Sequence, residues 1–296
     1  MSTDPISAAE DVRAILADPS YVVPPAPAVP DSEYGTLAWL RSLVARFCDG
    51  DAHDRRRALV ERDLTGLHPD RLRLAAAELT RRELAQQARG EQFDAMILAR
   101  RVPLAVLATE LGLAGNDVRR AVDAVITAAA GYPNPDAAWL GTNASIKQLV
   151  EALVRAGDLG PRDAELLANR IGLLMQACDA TAGLIGNALI NAFVVGDGDS
   201  VGVAAADELV AETISVDPPV LRTRRLSPAG EAVTLDISGC TFGAGRRPCP
   251  GADQATALAV GVLDAILPAC ELADQQVDYV PSPNLRVPAR LLIFID

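Results

Sequence analysis

The chain has 296 residues, 50% of them apolar, 22% charged and 4% aromatic, which excludes disordered, collagenous and low-complexity classes. That leaves ample apolar material for the core of one or two domains. A net charge of −12, from 27 basic and 39 acidic residues, argues against nucleic acid or an anionic membrane as partner of the whole surface.

Residues 8–17 predict a short amphipathic helix with Val12, Ile15 and Leu16 on one side. The following YVVPPAPAVP carries prolines at 24, 25, 27 and 30, which forbid regular hydrogen bonding and favour an extended segment. From Thr36 to about Gly131 the pattern is helical throughout. Breaks are expected near Asp49–Ala52, Gly66–Pro69, Gly90 and Gly112–Asn116, with Asp117 as the N-cap after the last. A polar stretch rich in Pro, Gly and Asn covers 131–145. Ala164 to about Val195 is apolar nearly all round and predicts a long helix buried on every side. A short helix over 204–216 is stopped by VDPPV, and 218–240 read as strand and turn. A Gly-rich loop then leads into a last helix at 252–267, and the tail, alternating in RLLIFI, reads as a hairpin. No repeat and no long linker divides the chain. The expectation is one domain over 1–296, mostly α with a small β portion.

Five cysteines, at 48, 178, 240, 249 and 270, show no CxxC spacing and an odd count. With no signal peptide after MSTDPIS, free thiols in a reducing cytoplasm are expected. No run has the length and flanks of a membrane span, so no spanning helix is expected.

The strongest chemical signal is Phe242-Gly243-Ala244-Gly245-Arg246-Arg247-Pro248-Cys249-Pro250-Gly251. Cys249 stands just before a helix, where unpaired N–H groups and the positive end of the dipole favour a thiolate. The glycines permit a tight turn and close approach to a flat ligand. At every defined position this loop resembles the haem-thiolate loop of the cytochromes P450.

That resemblance implies haem b, with Cys249 as the iron ligand, Phe242, Gly243 and Gly251 shaping the loop, and Arg247 pairing with a propionate. The run Asp51-Ala52-His53-Asp54-Arg55-Arg56-Arg57 looks like the family's helix C signature. It places His53 and Arg57 on one helix face as further propionate ligands; taken alone, such a run reads as a solvated charged face. DPPVLRTRR resembles the stretch after helix K, with Arg225 at another propionate-binding position. EQFDAMILARRVPLAVLATELGL and PSPNLRVPARLLI resemble the helix D–E region and the carboxy-terminal strands. The similarity thus runs through nearly the whole chain in the family's order.

The chain also departs from the family, as a shortened, divergent bacterial member would. The oxygen-binding helix reads Gln176-Ala177-Cys178-Asp179-Ala180-Thr181. It keeps the acid as Asp179 but has Ala180 in place of the Thr that assists proton delivery. Thr181 is turned about 100° away. An aspartate in so apolar a helix is costly unless hydrated or paired, and so reads as functional. The family's Glu-x-x-Arg reads Glu212-Thr213-Ile214-Ser215, without the Arg. Only sixteen residues separate Arg225 from Phe242, so the stretch covering the thiolate side is cut short. The amino-terminal helix and first strands are expected to be missing.

The resemblance implies a haem-thiolate oxidoreductase acting on a small organic molecule in cytoplasmic specialised metabolism, as monooxygenase with ferredoxin and reductase or as peroxygenase. Asp179, Ala180 and Thr181 would form the catalytic stretch. The Pro-rich loop, Leu221–Thr223 and Pro283-Asn284 would face substrate. Two alternatives stand beside it. One is a non-oxygenating haem enzyme whose iron acts as a Lewis acid in a dehydration, isomerisation or peroxide-driven reaction. The other is a non-catalytic auxiliary of a partner enzyme.

Overall fold

The longest apolar run in the sequence becomes the axis of the fold. A computed structural model describes residues 4–133, 141–157, 159–195, 206–273 and 276–295. Ten helices lie within these residues: α1 (Ala9–Ala17), α2 (Leu37–Leu43), α3 (Gly50–Thr65), α4 (Pro69–Leu84), α5 (Ala95–Glu110), α6 (Asn116–Ala129), α7 (Thr142–Gly157), α8 (Ala164–Ile190), α9 (Ala206–Val216) and α10 (Ala252–Ile266). Five short strands accompany them: β1 (Gln92–Asp94), β2 (Arg222–Leu226), β3 (Ala232–Asp236), β4 (Cys270–Leu272) and β5 (Leu292–Ile295). The mostly α architecture with a small β portion is as the sequence predicts.

Helix α8 packs against α2, α3, α5, α6, α7, α9 and α10. Its side chains Leu167, Ile171, Leu174, Leu184 and Ile185 are buried, each stabilising the fold by about 1.5–3 kcal/mol. With the π-helical turn that continues it, Asn191–Val195, it reaches the expected end. It is long and apolar enough to cross a membrane, and two-thirds of that surface is buried among the other helices.

Ionic ties fix α3 on α8. Arg170 donates twice to Asp63, at 2.8 and 3.1 Å. Glu165, in the first turn of α8, accepts from Arg55 at 2.8 and 2.9 Å and from Arg56 at 3.0 Å. These bonds, Arg55's foremost, pull the Glu165 carboxyl down to about 2 from its ordinary 4.5. A depressed carboxyl contributes stability that is present above the ordinary value and lost as pH falls towards the depressed one. Glu165→Gln is therefore expected to lower the melting temperature at pH 7 by roughly 2–6 °C. In a pH series of thermal melts that gap should narrow below about pH 4.5.

Helix α10, which begins just after Cys249, lies flat on α4. A side chain on Gly261 would collide with the Arg73 carbonyl, and Arg73 grips Asp264 through two bonds of 2.7 and 3.1 Å.

Several local expectations change. Residues from Thr142 are already helical, because Ile146, Leu149, Val150 and Leu153 of α7 line up on the core side. Of the polar stretch 131–145, residues 134–140 lie outside the described residues, as do 204 and 205 of the helix expected over 204–216. Asp117 sits in the first turn of α6, and Gly115, at φ 55°, takes the capping position. A strand, β1, interrupts the helical region at 92–94. The tail closes a small hairpin at the Tyr279–Pro288 bridge, but β5 pairs antiparallel with β1 and β4 instead of with its own neighbours.

The amino terminus is not wholly without strand pairing. Ile6 donates to the Thr234 carbonyl at 2.9 Å and accepts from the Asp236 N–H at 2.8 Å, adding one bridge to the β2–β3 ribbon. A second small core of Val12, Leu16, Leu235, Ile237 and Cys240 follows from it. Helix α1 thereby covers part of the cysteine loop: Arg246 donates to the Leu16 carbonyl at 3.3 Å. Gly245, at φ 66°, approaches the same carbonyl so closely that a Cβ would collide with it. Gly245→Ala should cost about 2–3 kcal/mol, from left-handed strain plus displacement of α1. The urea midpoint should fall at unchanged m-value.

Candidate functional site

The cysteine loop is held by its own backbone. Phe242 adopts φ 67°, alone among the described non-glycine residues in the left-handed region, and Gly243 follows at φ 75°. Gly243 donates to the Cys240 carbonyl at 2.7 Å and Cys249 to the Phe242 carbonyl at 2.6 Å, closing the loop. Gly251, two residues on, is the N-cap of α10. Crowding by the loop pushes the Cys249 thiol up, against the Gly251 N–H and the charges of Arg57 and Arg46. Even so, Cys249 remains exposed on one side, whereas Cys178, Cys240 and Cys270 are buried; none of the five is in a disulfide.

Arginines surround this thiol. Arg57, on α3, donates to the Pro248 carbonyl at 2.7 Å and so ties α3 to the residue before Cys249, while its Nε holds Glu61 at 2.7 Å. His53, one turn earlier on the same face, contacts Asp54 at 2.9 Å. Arg247 turns towards the start of α3, donating to the Cys48 carbonyl and to Asp49, the latter at 2.7 Å. Asp49, His53, Asp54, Arg246 and Arg247 line a cleft of about 230 Å³. A larger concavity of about 570 Å³ between α6 and α7 shares none of these residues.

Arg225 differs from the others. It is 7% exposed, and its bonds go to the Thr223 hydroxyl and the Arg224 carbonyl, with no carboxylate in contact among the described residues. Burial lowers its pKa, with nearby Arg247 and Arg46 lowering it further and Asp49 opposing. A buried cation so placed calls for an anion.

Opposite chemistry lies on α8. Leu173, Gln176, Ala177 and Ala180 form an i, i+3, i+4, i+7 stripe that is less buried than the rest of the helix. Ala180 belongs to that open stripe; Thr181 is buried beyond it. Asp179 is half-buried, 3.8 Å from Arg100 of α5. Burial pushes its carboxyl up and Arg100 pulls it back. Arg46, just before α3, reaches across to Gln176 at 3.3 Å.

Two segments expected to face substrate come together through the backbone. Leu221 and Arg222 donate to the Asn284 carbonyl at 2.9 and 3.4 Å. Glu212 on α9 is exposed, as befits a carboxylate without the arginine partner. Sequence reasoning missed Arg46, Asp49 and Arg100. None belongs to the motifs that singled out the loop, and only the folded chain brings them to it.

No protein-family model matches the sequence, and no curated protein matches it. Solved structures do. The thermophilic cytochrome P450 from Sulfolobus tokodaii is 18% identical with a TM-score of 0.76, covering 100% of this chain and 96% of that one. P450BioI, solved with an acyl carrier protein bearing hexadec-9Z-enoic acid, is 18% identical with a TM-score of 0.76, covering 97% and 91%. CxnD, a cytochrome P450 for C–S bond formation in chuangxinmycin biosynthesis, is 17% identical with a TM-score of 0.76, covering 96% and 86%.

The fold is that of the cytochromes P450. In a P450 fold the residues described here have a donor set that suits haem. Cys249 offers an exposed sulfur just before the start of α10, and Arg225 offers a buried charge without a carboxylate partner among the described residues. Arg247, Arg57 and His53 lie beside them, each turned to a protein partner that a carboxylate could exchange with.

Proposed function

We propose that this chain is a haem-thiolate oxidoreductase acting on a small organic molecule, in cytoplasmic specialised metabolism. The observation that carries the reading is the exposed Cys249 thiol just before the start of α10, within a P450 fold. Haem b, when bound, supplies the iron centre for oxidation of an unactivated substrate. Cys249 would ligate the iron, with the Gly251 N–H tuning the sulfur's donor strength. Arg225 and Arg247, with His53 and Arg57, would bind the propionates.

The protein's further tasks fall to α8 and the loops. Asp179 holds a proton more firmly than an ordinary aspartate because it is buried, and Arg100 orients it. Ala180 leaves room on the open stripe for water or a substrate hydroxyl. Leu221–Thr223 with Pro283-Asn284 would border the substrate. Electrons would come from a ferredoxin and reductase, or peroxide would replace both.

The test is a carbon monoxide difference spectrum of the dithionite-reduced protein. A thiolate-type band is expected; a colourless protein after expression with haem precursor contradicts the reading. A second reading, a haem enzyme without oxygen activation, draws support from Ala180, since the open stripe lacks the hydroxyl that proton delivery uses. The auxiliary reading is disfavoured because an auxiliary has no use for an accessible, helix-capped thiol.

A further inference from the structure

The site holds more positive charge than haem would neutralise. Arg41, Arg46, Arg225 and Arg247 act on one another or on shared neighbours, and Asp49, paired with Arg247, is their one ion-pair partner among the described residues. Two haem propionates would leave one positive charge over. In a protein of net charge −12, such a local surplus is not a by-product of composition.

Arg41 and Arg46, neither in an ion pair among the described residues, lie within a built structure. Asn169 of α8 is 3% exposed and clamps the chain leading to Arg46: it accepts from the Ala45 N–H at 3.0 Å and donates to the Leu43 carbonyl at 3.1 Å. The Arg41 guanidinium lies over the Phe47 ring, 3.9 Å from its centroid, and donates to the Tyr132 carbonyl. Arg46 approaches the Phe47 and Tyr132 rings at 5.7 and 5.9 Å. The two rings meet edge to face at 5.4 Å.

Tyr132 is the second, independent sign. It is 2% exposed, yet its hydroxyl has no hydrogen-bond partner among the described residues. A Cβ on Gly172 would lie 3.3 Å from that hydroxyl, which sets it against α8 one turn before the open stripe at Gln176. An orphaned buried hydroxyl is costly, a penalty that a ligand's acceptor relieves.

We propose that Arg41, Arg46 and Tyr132 form a carboxylate-binding subsite, and that the substrate is a small monocarboxylic acid with an apolar or aromatic body. Two guanidiniums and a phenol supply donors for both carboxylate oxygens, and Phe47 with the Leu173–Ala180 stripe supplies the apolar wall. The proposal builds on the haem reading for the direction in which the acid lies, but carboxylate recognition itself needs no iron.

The experiment is isothermal titration calorimetry of the purified protein with octanoate and 3-phenylpropanoate, each beside its primary amide. The acids should bind about ten- to a hundredfold more tightly than the amides, the range expected for charge-assisted bonds. Arg46→Gln, at an exposed position, should abolish that preference while leaving the haem content per chain unchanged. Tyr132→Phe, which keeps the ring packing, should weaken the acids roughly three- to tenfold and leave the amides unaffected. Equal affinity for acid and amide, or no binding of either at millimolar concentration, overturns the proposal. So does loss of haem in Arg46→Gln with the preference intact, because Arg46 would then serve a propionate. A protein without haem that still prefers the acids refutes the haem reading alone.

Discussion

Cys249→Ala is expected to leave the purified protein with less than about a tenth of the parent's haem and no thiolate-type carbon monoxide band. The alternative ligands are few. His53 and His68 are the chain's two histidines, and His53 is committed to the face of α3 beside Asp54. Propionate contacts are peripheral: each charge-assisted bond contributes roughly 1.5–3 kcal/mol, so losing one should not eject the cofactor. The structure also ranks them. On the haem reading Arg57 would bind a propionate, and it also ties α3 to the Pro248 carbonyl, so Arg57→Ala should lower haem occupancy more than His53→Ala. Arg225→Ala removes the buried charge that lacks a counterion, which should relieve the apo protein as it weakens the holo one. The thermal melt without haem should therefore rise or hold, while haem-dependent stabilisation shrinks. A Cys249→Ala protein with the parent's Soret spectrum would refute the ligand assignment, and full haem retention in a His53, Arg57 and Arg225 triple variant would refute the propionate assignment.

What the sequence made legible was local. The cysteine loop needs specific residues at fixed spacing, because left-handed turns at Phe242, Gly243 and Gly245 and a helix start at Ala252 all follow from neighbours in the chain. Helix α8 was legible for a related reason: an apolar run with no polar face has no stable place except the interior. What stayed hidden was settled by distant partners. Strand β1 is three residues long and exists because β5, close to the carboxy terminus, pairs with it. The role of α1 depends on the β2–β3 ribbon, far along the chain from it. Arg46 and Tyr132 sit in ordinary-looking sequence and acquire meaning only where α8 brings them together. The arginine cluster was legible at Arg225 and Arg247, which lie in motifs, and not at Arg41 and Arg46, which do not.

Turnover with added peroxide is expected to exceed reductase- and NAD(P)H-driven turnover by about tenfold or more, the scale of one missing proton-transfer group. The reason lies in how α8 presents its acid. Asp179 is drawn towards Arg100 on α5, while the open stripe of Leu173, Gln176, Ala177 and Ala180 runs along a neighbouring face. Ala180 adjoins Asp179 on that stripe but has no hydroxyl to pass its proton on, and the hydroxyl of Thr181 is buried. Burial raises the Asp179 carboxyl above an ordinary aspartate, and the stripe has no hydroxyl to pass a proton on from it. Dioxygen needs both electrons and relayed protons, whereas peroxide arrives already reduced and carrying its protons. On the haem reading it also bypasses docking of a redox partner. Ala180→Thr should restore the missing hydroxyl and raise the product formed per NAD(P)H several-fold, with a smaller effect on peroxide-driven turnover. Efficient, well-coupled NAD(P)H turnover by the parent, unaltered in Ala180→Thr, would show that water or the substrate already completes the path from Asp179.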